Sequence, residues 1–179
     1  MVEKAKVEAI MQRQGYADFR WIGGKDIVTA QWVRMKCAFG CGSYGKKGTC
    51  PPNTPPLTDC RQFFIEYDHI VILHFEKKVD KPEDRFEWSK EVNRKLLDLE
   101  REVFLSGFHK AFLLFMDECE QCNDCSGLRE SCKNPSMSRP NPESLCMDVF
   151  STIRRQGYPI EVLSDYTKTM NRYAFLLVE

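Results

Sequence analysis

The sequence predicts an α/β fold: a mixed, mainly parallel sheet flanked by helices, with an antiparallel hairpin on the amino-terminal side and two cysteine-rich loops at one sheet edge. Three observations predict it. Ile70 to Phe75 and Ala111 to Met116 are apolar at nearly every position, as strands covered on both faces are. Between them, Trp88, Val92, Leu96, Leu99 and Val103 recur every three or four residues, which is the pattern of a crossover helix. Two groups of cysteines begin just past apparent strand ends, after Met35 and after Met116, and open α/β sheets bind ligands at such an edge.

Taken in order, the charged amphipathic start MVEKAKVEAIMQRQ reads as a helix and not as a signal peptide. Phe19 to Ile22 and Ile27 to Met35 read as strands of a hairpin about Gly23-Gly24. With the first helix they form a small appendage, residues 1–36, on a single domain covering residues 1–179. Thr54-Pro55-Pro56 starts a helix whose face carries Leu57, Cys60, Phe64 and Tyr67. The longest helix runs from Pro82 to Gly107. Asn141-Pro142 starts the last one, with Leu145, Val149 and Ile153 as its buried stripe and Gly157 as its stop. Ile160 to Leu163 and Tyr173 to Val178 close the chain as short strands.

The 179 residues suffice for a proper core. Twenty-six basic residues balance twenty-six acidic ones, so no overall field points to nucleic acid. No apolar run is long enough to span a bilayer, and a cytoplasmic location is expected. Nine cysteines, odd in number and tightly clustered, suggest thiolate ligands in a reducing compartment; an anaerobic metabolism would suit them.

Those cysteines carry the chemistry. Cys119, Cys122, Cys125 and Cys132 stand at C-x2-C-x2-C-x6-C, a spacing that lets one short loop surround a metal centre, as in ferredoxin loops. Zinc competes, because C-x2-C is also its commonest half-site. The earlier group, CAFGCGSYGKKGTCPP, supplies Cys37, Cys41 and Cys50 from a glycine-rich stretch and has no evident fourth ligand. Cys60 and Cys146 are candidates for that place, although Cys60 lies on the apolar face of its helix and Cys146 adjoins the apolar stripe of the last one, where a free cysteine is ordinarily a small hydrophobe. Lys46, Lys47 and Arg139 could offset the negative charge of thiolate-bound clusters. His69, His74 and His109 show no ligand spacing.

The segments KCAFGCGSYGKKGTCPPNTP and DECEQCNDCSGLRESCKNPSMSRPNPESLCMDVFSTIRRQGY resemble a microbial and archaeal family of metal-binding proteins, domain of unknown function 2284, over roughly residues 33 to 160. The resemblance implies metal binding, with an iron-sulfur centre expected, and matches Cys37, Cys41, Cys50, Cys119, Cys122, Cys125 and Cys132. It places Cys146 where a glycine is expected.

The leading expectation is a protein holding two neighbouring 4Fe-4S clusters and exchanging electrons with a larger redox partner protein. A zinc-stabilised binding module, with two zinc ions, is the first alternative. The second is an enzyme whose cluster at Cys37, Cys41 and Cys50 keeps one iron open to a small-molecule ligand.

Overall fold

The computed structural model describes residues 3–165 and 167–179; Met1 and Val2 of the expected first helix lie outside them. Helix α1 (Lys4–Arg13) buries Val7, Ile10 and Met11, spaced three and four apart. It packs on α4 (Asp84–Leu105), which Gly107, at φ +113°, terminates in the left-handed region. Between them in sequence come β1 (Phe19–Ile22), α2 (Gln31–Gly40), α3 (Leu57–Ile65) and β2 (Ile70–Lys77). After α4 follow β3 (Phe112–Leu114), α5 (Val149–Arg155) and β4 (Met170–Leu177).

The four strands form one sheet in the order β1-β2-β4-β3, and every pairing is antiparallel. The expected mainly parallel sheet is therefore incorrect. Strands β2 and β3 do point the same way, with α4 crossing between them, but β4 is inserted between the two and pairs with both. A helical crossover thus joins co-directional strands that are not neighbours.

Strand alternation sorts the core into two layers. Val71, Leu73, Ala174 and Leu176 face α1 and α4. Ile70, Ile72, Tyr173, Phe175 and Leu177 face the layer holding α3 and α5. Both faces of β2 and β4 are covered, which is why their sequences are almost continuously apolar.

Three further expectations fail. Residues 27–35 do not form the second strand of a hairpin: β1 pairs with β2, Thr29 makes an isolated bridge to Met147, and the rest of the stretch is α2. The extended part is held by Ala30 N–H to Cys146 O (2.9 Å) and Asp148 N–H to Val28 O (2.7 Å), so its partner is remote in sequence. The last helix is shorter than expected, because a 3-10 turn over Glu143–Leu145 ends at Cys146 with φ +61°. A left-handed residue cannot continue the helix. Asp148 restarts it as N-cap, accepting from Ser151 N–H at 3.0 Å. Residues 160–163 form no strand. No helix among the described residues is long and apolar enough to cross a membrane.

Candidate metal centre

The first cysteine group starts on a helix. Cys37 lies in α2 and Cys41 follows at its end, one turn further on. The chain then closes on itself through Gly45 N–H to Pro51 O (2.9 Å), with Gly45 at φ +71°, and returns the buried Cys50 to the other two. The three thiols are near enough for charge on one to be felt by the others, and Cys50 is pushed up to about 12 by burial, then by Glu118, Cys41 and Cys37. Cys37 is raised chiefly by burial and by Cys41, with Arg34 opposing.

Arg34, one turn before Cys37, holds this loop. Its Nη1 donates to Thr54 Oγ1 (2.9 Å), its Nη2 to Pro55 O (2.6 Å) and Ser144 O (3.1 Å), and its Nε lies 3.3 Å from Cys146 Sγ. One guanidinium therefore ties α2 to the exit of the cysteine loop and to the 143–146 turn. Sequence reasoning missed Arg34 because nothing in its neighbourhood announces remote partners. Cys60 and Cys146 are brought together in the core, essentially without exposure. The Cys60 thiol is 3.4 Å from Pro55 O, and burial, followed by Cys146, pushes it up to about 12.

The second group, residues 119–132, contains no helix or strand and is tied down by side chains. Asn134 Nδ2 donates to Cys122 Sγ (3.0 Å), and Lys133 Nζ bonds Asp124 Oδ2 (2.9 Å). Burial raises Cys119, while backbone N–H groups of Gln121 and Arg139 directed at its sulfur oppose the rise. Arg129 reaches Ser138 and the carbonyl of Pro135. Arg139 is spent on the buried Glu100, at 2.9 and 3.0 Å from its two oxygens, and Glu100 also accepts Leu113 N–H at 2.9 Å.

The two loops lie against each other. Asn53 Nδ2 donates to Gly127 O (2.8 Å), and Lys47 Nζ meets Glu120 Oε1 at 2.6 Å. A side chain at Gly48 would collide with the Leu128 carbonyl, 2.9 Å from the place of its Cβ. Burial alone would lower Lys47, but the hydrogen bond and charge of Glu120 outweigh it and raise the amine. All nine cysteines are free, and among the described residues no three His, Cys, Asp or Glu side chains converge enough to hold a metal ion.

A family model described as "Predicted metal-binding protein (DUF2284)" matches residues 20–178. The chain belongs to this family. The match is wider than the cysteine motifs alone and takes in all four strands except the first residue of β1. No curated protein and no solved structure matches the chain. DUF2284 membership makes a metal cofactor the general expectation, and the chemistry of the donors suits one, since soft thiols stand on two packed loops, while binding would have to draw them together. Burial favours the protonated form of Cys37, Cys50 and Cys119; a bound cation's charge would reverse that balance.

Cys37 and the exposed Cys41 also line a cavity of about 540 Å³, together with Trp32, Lys36, Glu143 and Arg154. Cys60 and Cys146 do not line it.

Proposed function

We propose that the protein carries two 4Fe-4S clusters, one at Cys37, Cys41 and Cys50 and one at Cys119, Cys122, Cys125 and Cys132, and exchanges single electrons with a redox partner protein. The observation that carries this reading is the direct packing of the two cysteine loops, through Asn53 to Gly127 and Lys47 to Glu120. Such clusters supply reversible one-electron chemistry when bound. The chain's part is to supply thiolates, aim N–H donors at sulfur as Asn134 does at Cys122, and hold the two loops at a fixed separation. Protein purified without oxygen should be brown and contain about eight irons and eight labile sulfides. A colourless protein with stoichiometric zinc would instead establish a zinc-stapled module.

A second reading is favoured by the cavity at Cys37 and Cys41. Of the two thiols that could complete this site, Cys60 meets Pro55 O and Cys146 meets Arg34, and neither lines the cavity. A cluster held here by three thiolates would leave one iron for a small ligand. Cys60→Ala and Cys146→Ala, separately and together, should then leave iron content and spectrum unchanged. Loss of the cluster, or its conversion to a three-iron form, would make the substituted thiol the fourth ligand.

A further inference from the structure

Next to the cavity at Cys37 and Cys41 lies another of about 560 Å³, bounded by the start of α4, the start of β4 and residues 160–165. Its size is that of a small-molecule site. Phe86, Met116, Val149 and Ile160 give it apolar walls, and Arg85 and Arg172 give it two cations. Arg85 is fixed: its Nη2 donates to Asp117 Oδ1 at 3.0 Å, and its guanidinium lies 4.8 Å over the Phe86 ring. Its Nε is buried and has no protein partner, and the same is true of Arg172 Nε. Buried N–H donors are nearly always satisfied, so two orphans in one cavity need an acceptor.

The lining narrows the acceptor. Asp117, outside the cavity wall, accepts from Arg85 through Oδ1, and its Oδ2 is buried without a partner. Glu143 is on the wall, and burial raises it above the ordinary carboxylate range. Glu161 and Asp165 also line the cavity but are exposed, and Asp165 is turned to Thr167 N–H and Oγ1, at 2.9 and 2.8 Å. None of these carboxylates hydrogen-bonds either Nε. Apolar walls beside two free donors suit the carboxylate of an organic acid, whose body they cover, better than inorganic phosphate, whose oxygens they would strip of water.

We propose that this cavity binds a small organic monocarboxylate, its apolar body against Phe86, Met116, Val149 and Ile160 and its carboxylate on the Nε atoms of Arg85 and Arg172. The two cavities share Glu143, Val149, Phe150 and Val162, so such a ligand sits beside the first cysteine site. The arginines belong to α4 and β4, and the inference does not depend on which metal the cysteines hold.

The test is calorimetry on the full chain, purified without oxygen, with acetate, butyrate, 3-phenylpropionate, 3-phenylpropionamide and inorganic phosphate as probes. Saturable binding should strengthen from acetate to 3-phenylpropionate, with the amide and phosphate roughly tenfold weaker or worse. R85Q and R172Q should each weaken 3-phenylpropionate binding roughly tenfold or more. R172K keeps the charge and removes the Nε donor, so it carries the test if the glutamine variants melt early; it should weaken binding too. Binding should survive Cys37→Ser, which separates this site from the cluster reading. No binding by any of the three acids, equal binding of the amide, stronger binding of phosphate, or wild-type affinity in R172K would each overturn the proposal.

Discussion

The two cysteine loops are built in opposite ways. The first grows out of a helix, returns through backbone hydrogen bonds and is pinned by Arg34 to two remote segments. The second has no regular structure, and its ties are individual side chains such as Asn134 on Cys122 and Lys133 on Asp124. The first loop is thus organised by the fold around it. The second depends on its ligands for order, so chelation of the bound metal should expose residues 119–132 to hydrogen exchange before residues 31–41.

The largest expected effect comes from cutting the buried ion pair that fastens the segment after the second loop to α4. Arg139→Ala would leave Glu100 charged and buried, at a cost of about 3 to 5 kcal/mol, measurable by urea denaturation. Because Glu100 also holds the β3 backbone through Leu113 N–H, the loss should spread into the sheet. Arg34→Ala tests the other side of the comparison. It leaves Ser144 O and Pro55 O without this donor and should cost about 2 kcal/mol. Its distinguishing readout is metal content: the first site should empty while the second stays filled.

Smaller effects sharpen the contact between the loops. Gly48→Ala places a Cβ 2.9 Å from Leu128 O and 3.1 Å from its carbon, both backbone atoms that must shift, and should cost about 1 to 3 kcal/mol. Away from both loops, Asp18 bonds His74 Nδ1 (2.6 Å) and the Tyr158 hydroxyl (2.7 Å). Burial alone would raise it, but these bonds prevail and lower it. A lowered carboxylate stabilises the fold above its ordinary pKa, and the gain is lost as pH falls through the folded value. Asp18→Asn should flatten this acid limb only slightly, since the carboxylate is 56% exposed and screened by solvent.

Apolar continuity and helical periodicity made β2, α4 and β4 legible, because these signals report burial, which depends on local sequence. Strand order was not legible. Co-directional strands joined by a helix look alike in sequence whether they touch or, as with β2 and β3, receive β4 between them. The α2 stretch misled for a related reason: only Val33 is buried there, while Trp32, Met35 and Phe39 are exposed, so its apolar residues mark no core face. The cysteine groups were evident from spacing. Their support was not, since Arg34, Glu100 and Asn134 act on residues far away or through atoms that spacing does not reveal. Cys146 joins the two levels: the place where a glycine was expected has a left-handed backbone, which a glycine adopts without strain.

The central claim is that two redox clusters sit on loops in direct contact, and electron paramagnetic resonance of the dithionite-reduced protein tests it most directly. The account predicts a spectrum broadened by spin coupling between two 4Fe-4S clusters, reduced to a single uncoupled signal in Cys122→Ser and, separately, in Cys37→Ser. A simple sum of two independent signals would contradict the proximity of the clusters, and a silent protein containing zinc would contradict the clusters themselves.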